Sequence, residues 1–235
     1  MPLDPAVVAE LKLISTATLT TVLLKKGLRR VAMRGPRPFG PASSARIAGR
    51  AFTLRFVPAR EDLATPESWS SPRSTRAAIE LMAPGDIVVA DAMGATGAGI
   101  FGDILCARMK KRGLAGLVTD GVLRDGAGVA VVGLPVWCAG LAAPPSIAEL
   151  TFIGWGEPIG CGGVAVMPAD VVVADGDGAV VIPDALLSAV VAEASDQEGL
   201  EAWIMSEVER GAALPGLYPA GAETRARYEA ERGKK

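Results

Sequence analysis

Residues 86–119 constrain this chain more than any other stretch, because they read as one β-loop-α-β unit. Residues 86–91 have the pattern of a strand, the Gly-rich 93–102 is a loop, residues 103–112 carry a helical pattern that stops at Gly113, and 114–119 is a second strand. Strands joined this way lie parallel in one sheet, with a right-handed crossover. A chain of 235 residues easily buries a core around such a sheet.

The rest of the chain extends that frame. Residues 47–57 alternate as a strand, and 134–138 and 164–167 read as further short strands. Residues 171–174 and 179–182 flank Asp175-Gly176-Asp177-Gly178, a hairpin turn. Residues 6–27 read as a helix that the Thr-rich Ser15-Thr16-Ala17-Thr18 patch can interrupt, 31–45 as a loop, 76–82 as a short helix and 185–210 as an amphipathic helix. Residues 211–235 look like an extended Gly/Pro arm ending in a charged helical tail. The expectation is one α/β domain over residues 1–210, an appended arm over 211–235, and terminal helices available for subunit contacts. The excursion 58–75 carries three prolines, and a loop that long is commonly functional or mobile. It reads equally as an active-site cover or as an ordered surface excursion.

Composition excludes much chemistry. There is no histidine, which removes Ser-His-Asp and Cys-His catalysis, histidine general bases and the usual zinc ligand sets. Proton transfer must use a carboxylate, Lys, Tyr, Cys or a metal-bound water. A metal held by carboxylates and water would be a hard ion such as Mg²⁺ or Mn²⁺. A net charge of -2 gives no basic footprint for nucleic acid. No run approaches the roughly 18 apolar residues of a membrane span, and the first residues lack the pattern of a signal peptide. Cys106, Cys138 and Cys161 are odd in number without CxxC spacing, which favours a reducing, cytoplasmic setting.

Gly97-Ala98-Gly99-Ile100-Phe101-Gly102 matches the dinucleotide-binding GxGxxG in letters, with Asp120 some way downstream. Its context argues against that role. The first glycine lies well past the end of its strand, and Asp103 at the following helix start would repel a pyrophosphate. Backbone N–H groups of the loop can still serve a smaller anion such as a carboxylate.

The chemistry-bearing residues are Asp103, Arg124 and Asp125. Asp103 follows the loop after one strand, and Asp120-Gly121-Val122-Leu123-Arg124-Asp125 follows the next parallel strand. Ligands of open α/β sheets bind outside the carboxyl ends of strands, so the two loops face one crevice. Two carboxylates can bind a hard cation directly or through water, and an arginine can engage the oxygens of a 2-oxo acid. The bland alternative is a helix-start aspartate near a surface ion pair.

Gly102-Asp103-Ile104-Leu105, with Arg124-Asp125 following Asp103 after twenty intervening residues, resembles the D-x20-R-D signature of the RraA-like/4-hydroxy-4-methyl-2-oxoglutarate aldolase family. The similarity continues in Gly49-x-Ala51-x-Thr53, Pro135-Val136, residues 162–170 and residues 174–183, and so covers about residues 10–210. The resemblance implies a swivelling β/β/α-type single domain with a central sheet and a lyase that cleaves a 4-hydroxy-2-oxo acid to pyruvate. It implies that Asp125 ligates a divalent metal (Mg²⁺ or Mn²⁺) and that Asp103 holds it through water. Arg124 and the backbone of Gly102, Asp103, Ile104 and Leu105 would bind the pyruvoyl end of the substrate. The family draws a further metal-site carboxylate from a neighbouring subunit's C-terminal helix, for which Glu198 and Glu201 are the candidates, and it implies a homotrimer or hexamer. A water acidified beside the ion and Asp103 would take the C4 hydroxyl proton, and the resulting enolate would rest on the metal and Arg124. The same chemistry would permit oxaloacetate decarboxylation.

Other readings are weaker. A Schiff-base aldolase needs a buried lysine, yet of seven lysines only Lys12 is unpaired in sequence; Lys25-Lys26, Lys110-Lys111 and Lys234-Lys235 look like solvated ends or tail. Cys106 has no histidine partner and reads as packing. Trp69, Trp137, Trp155 and Trp203 are too scattered for a base-stacking platform. The rival of substance is non-enzymatic: RraA-like proteins include protein inhibitors of an RNase, and residues 58–75 and 211–235 offer surface for a partner.

Overall fold

The computed structural model describes residues 2–233, so the Lys234-Lys235 pair lies outside the described residues. The strands are β1 (Arg37–Phe39), β2 (Ile47–Pro58), β3 (Ile87–Asp91), β4 (Gly116–Thr119), β5 (Val136–Cys138), β6 (Leu150–Trp155), β7 (Val171–Asp175) and β8 (Gly178–Ile182). The helices are α1 (Pro5–Leu11), α2 (Thr16–Lys25), α3 (Thr75–Leu81), α4 (Asp103–Lys111), α5 (Gly126–Val132), α6 (Leu187–Glu209) and α7 (Ala222–Arg232).

One mixed sheet runs in the order β1-β5-β4-β3-β2-β7-β8, with β6 also paired to β2. Neighbours among β2, β3, β4 and β5 are parallel, as the β-loop-α-β reading requires. Strand β2 bends the sheet. Its first residues, Ile47–Arg50, pair with β7, Ala51–Arg55 pair with β3, and its end pairs with β6 across a register shift between Arg55 and Phe56. A shift of this kind kinks a strand and increases its twist. Residues 31–33 bond to β8 (Val181 N–H to the Val31 carbonyl, 2.8 Å; Met33 N–H to the Ala179 carbonyl, 2.9 Å), and the chain then runs into β1, which pairs with β5. That segment joins the two ends of the sheet and curls it.

The curl gives each strand two buried faces. On β3, Ile87 and Val89 point into the apolar interior with Trp137 and Val181, while Val88 and Ala90 pack under α3, α4 and α5. All of β3 is buried, hence its near-continuous apolar sequence. On β7, Val172 and Ala174 face inward and Val171 and Val173 sit under α1, α2 and α6. A small satellite cluster of Leu200, Ile204 and Leu217, with Trp203 and Tyr228 beside it, docks α7 and the preceding arm on α6.

The 6–27 helix is interrupted at the Ser15-Thr16-Ala17-Thr18 patch, as its sequence allows: the Ser15 hydroxyl caps α2 by accepting from Thr18 N–H at 3.0 Å. Other sequence expectations need correcting. The 31–45 loop contains β1, an edge strand on which Pro38 costs no ladder bond. Residues 164–167 form no strand: only the isolated bridge Ile159–Val166 forms there, and Gly162 turns the chain at φ 58°. β6 and α5 were not foreseen. Among the described residues no single helix is long and apolar enough to cross a membrane.

Candidate active site

The loops that leave the carboxyl ends of β3, β4 and β5 are stitched together by backbone hydrogen bonds. Gly99 N–H donates to the Pro144 carbonyl, Ile100 N–H to Val122 and Arg124 N–H to Phe101, each at 2.9 Å. Leu123 N–H reaches the Gly140 carbonyl at 3.0 Å. This mesh holds Asp103, Arg124 and Asp125 along one cavity of about 240 Å³, together with Gly102, Ile104 and Leu105. The first turn of α4, whose N–H groups lack intrahelical acceptors, lines the same cavity.

The glycines of GxGxxG make room for these groups. A Cβ on Gly99 would lie 2.6 Å from the Arg124 backbone nitrogen, and one on Gly102 would lie 2.6 Å from Asp125 Oδ2. Gly97 lies against Glu149, whose carboxylate accepts from Gly97 N–H at 3.0 Å. The motif serves close packing of the loops. Asp120 is likewise structural: it is buried and accepts from Ala92 N–H (2.8 Å) and Gly162 N–H (3.1 Å). Burial raises its pKa, helped by the charge of Asp91, although those N–H bonds oppose the shift.

Asp125 sits just before α5 in the left-handed region, φ 54° and ψ 41°. Such strain in a non-glycine residue clusters at functional sites, and aspartate tolerates it better than most. Its Oδ2 accepts from Arg124 Nε at 3.1 Å in a half-exposed pair, and its other oxygen has no donor among the described residues. Asp103 takes its neighbour's Ile104 N–H on Oδ1 at 2.7 Å and packs its Oδ2 against Gly128 at the start of α5. Both carboxylates are thus under-used within the protein. Among the described residues no three Asp, Glu or Cys side chains converge on one point. A cation here would take two carboxylates from this chain and its other ligands from water, substrate or another subunit, and such all-oxygen donors suit a hard divalent ion.

The remaining candidates lie elsewhere. Glu198 accepts from Ser15 N–H at 2.6 Å at the start of α2, and Glu201 accepts from Gln197 Nε2 at 2.7 Å. Burial alone would raise the Glu198 pKa, but the bonds from Ser15, with Thr18 and the charge of Arg46, together outweigh it and lower it. Cys106 is buried and its pKa is pushed up to about 12, first by desolvation and then by Asp103, so it stays a thiol. No described lysine is buried. Residues not singled out in the sequence also line the cavity, among them Trp69, Thr75, Arg76, Pro145 and Ser146. The unusual length of the 58–75 excursion was the only signal for Trp69 and Thr75; nothing local marked the others.

The site is thus a cleft at the strand ends of a curled α/β domain, lined by two aspartates, a helix start and an arginine. The chain belongs to the RraA-like family, described as Aldolase/RraA, whose model matches residues 16–181. It is 41% identical over 101 residues to a protein of Halalkalibacterium halodurans named "Putative 4-hydroxy-4-methyl-2-oxoglutarate aldolase"; the match covers 43% of this chain and 47%, less than half, of that relative. A Burkholderia mallei protein of the same name is 32% identical over 70% of this chain and 90% of its own length. The crystal structure of Streptomyces coelicolor RraAS2, described as an unusual member of the RNase ES inhibitor RraA protein family, superposes with a TM-score of 0.75. That protein is 36% identical, with 89% of this chain and 98% of that one covered.

Proposed function

We propose that this protein is a divalent-metal-dependent lyase that cleaves a 4-hydroxy-2-oxo acid to pyruvate and a second carbonyl compound. The observation that carries this reading is the convergence of two under-used carboxylates, Asp103 and Asp125, with Arg124 and the first turn of α4 on one cavity. The names borne by the Halalkalibacterium and Burkholderia relatives support it. Asp125, with Asp103 through water, would hold Mg²⁺ or Mn²⁺, and a bound ion of this kind polarises the keto and carboxylate oxygens of the substrate.

The chain's own groups do the rest. The N–H groups of Gly102, Asp103 and Leu105, joined by that of Ile104 once it leaves Asp103 Oδ1, receive the 2-oxo acid's carboxylate, where the helix dipole favours negative charge. Asp103 draws the proton from the C4 hydroxyl through a water. The C3–C4 bond then breaks, its electron pair passes to the enolate of pyruvate, and the Arg124 guanidinium stabilises the charge on the enolate oxygen. Protonation at C3 completes pyruvate. Oxaloacetate, which yields the same enolate on losing carbon dioxide, is a substrate for a side reaction. Residues 1–210 act as the catalytic domain and 211–235 as an appended arm, in a homotrimer or hexamer contacted through the terminal helices. Of the two C-terminal glutamates, Glu201 is the better ligand for a neighbouring site, since Glu198 is held by a backbone N–H at the start of α2 and Glu201 only by the side chain of Gln197.

The similarity to RraAS2 favours a second reading, a regulator that binds an RNase or another protein. One assay separates the two. Purified protein with Mg²⁺ or Mn²⁺ is expected to release pyruvate from 4-hydroxy-2-oxo acids, and a chelator is expected to stop it. Absence of pyruvate with every divalent metal tried would sink the lyase.

A further inference from the structure

The cavity has a second cationic wall that the reaction above does not use. Helix α4 packs between α3 and α5, so Arg76 in the first turn of α3 and Arg124 just before α5 flank its start from two sides. Arg76 has no carboxylate and no hydrogen-bond acceptor among the described residues. Its guanidinium instead lies over the Trp69 ring, 5.2 Å from the centroid. Arg73, three residues earlier and outside the helix, differs: its Nε donates to the Ile153 carbonyl at 3.0 Å. Stacking occupies the face of a guanidinium and leaves its edge, with five N–H donors in a planar fork, free for a bidentate carboxylate. Trp69 and Thr75 also line a neighbouring cavity of about 420 Å³, so Trp69 stands between the reacting centre and further space.

Resting on the lyase reading, we infer that Arg76, oriented by Trp69, is the specificity-determining residue for a second carboxylate of the substrate, the one carried by the fragment released with pyruvate. Arg124 and α4 hold the 2-oxo acid end, and Arg76 holds the far end. A cavity whose carboxylates serve a cation leaves this guanidinium without a counter-charge until a diacid enters. A substrate ending in an uncharged group would forfeit that contact.

The test uses two unreactive probes of equal chain length, 2-oxoglutarate and 2-oxopentanoate, titrated calorimetrically into the full-length protein with Mg²⁺ present. The wild type is expected to bind 2-oxoglutarate about tenfold more tightly, equal to about 1.4 kcal/mol. Arg76→Met is expected to remove most of that preference and leave 2-oxopentanoate affinity unchanged; Arg76→Lys should restore part of it, and Trp69→Phe should keep it. An equal preference in Arg76→Met and wild type, or none in the wild type, overturns the assignment. Pyruvate release from 4-hydroxy-2-oxoglutarate and 4-hydroxy-2-oxopentanoate runs beside it. Release from both with no effect of Arg76 refutes only the Arg76 assignment. Release from neither, with the binding preference intact and lost in Arg76→Met, refutes only the lyase.

Discussion

Two sets of aspartates follow strands in this protein, and they are treated in opposite ways. Asp175, at the β7–β8 turn, is saturated: it accepts from Thr16 N–H (2.9 Å), the Thr16 hydroxyl (2.7 Å), Asp177 N–H (3.1 Å) and Arg46 Nε (3.2 Å). Asp91 and Asp120 are buried and bonded to backbone N–H groups in the same spirit. Asp103 and Asp125 each accept one hydrogen bond among the described residues, from an adjacent residue, and face a cavity. A carboxylate filled with internal donors holds the fold; one left under-used in a rigid frame is available to a ligand. The mesh of bonds between the β3, β4 and β5 loops supplies that frame.

The sharpest way to break this contrast is to remove one carboxylate of each set. Asp125→Asn, which keeps a side chain suited to the left-handed backbone, and Arg124→Ala are each expected to cut pyruvate release by about 10²–10³-fold, the usual cost of losing a group that stabilises developing charge. Their unfolding free energies should stay within about 1 kcal/mol of wild type, as for exposed positions. A large stability loss there would return both residues to a structural role. Asp175→Ala should behave the other way, losing about 2–3 kcal/mol in urea unfolding because several donors lose their acceptor at roughly 1 kcal/mol each. Binding of 2-oxoglutarate to that variant should be unchanged.

Subtler substitutions sharpen the comparison. Gly102→Ala places a Cβ 2.6 Å from Asp125 Oδ2, so the carboxylate must swing aside while the fold keeps its backbone. We expect turnover to fall about tenfold or more, since small misplacements at a reacting centre are expensive, with little change in melting temperature. The smallest effect is on acid stability. Burial alone would raise the Asp175 pKa, but its hydrogen bonds lower it below the ordinary 3.8. A carboxyl shifted down stabilises the fold above its ordinary pKa, and that contribution fades as pH falls through the lowered folded value. Asp120, shifted up, has the opposite sign: its contribution is full below 3.8 and is lost as pH rises through its raised value. Urea unfolding between pH 2 and 6 should therefore show Asp175→Asn converging on wild type at the acid end. Parallel curves across that range would contradict the assignment.

Much of this was legible in the linear chain. The β3-loop-α4-β4 unit rests on local periodicity and on Gly113, and the hairpin on Asp175-Gly176-Asp177-Gly178, so both were readable. The spacing of Asp103 and Arg124-Asp125 on successive parallel strands was enough to place them at one crevice, and the structure brings them there. Helix α5 escaped notice because Gly126-Ala127-Gly128 looks like a loop; the glycines are there because Leu141 and Asp103 press against them. Residues 164–167 have a strand's alternation, but no neighbouring strand reaches them beyond one bridge.

By itself the sequence determined the parallel unit, the absence of imidazole chemistry and the identity of the residues at the crevice, because these follow from local periodicity, composition and linear spacing. Only the tertiary structure decided which aspartates are saturated and which stay open, and that Arg76 and Trp69 reach the same cavity as Arg124. Those properties depend on how many donors distant segments deliver to one carboxylate: Thr16 to Asp175, Gly162 to Asp120, and no distant donor among the described residues to Asp125. Asp103 and Asp125 were marked by their spacing; their availability was created by packing.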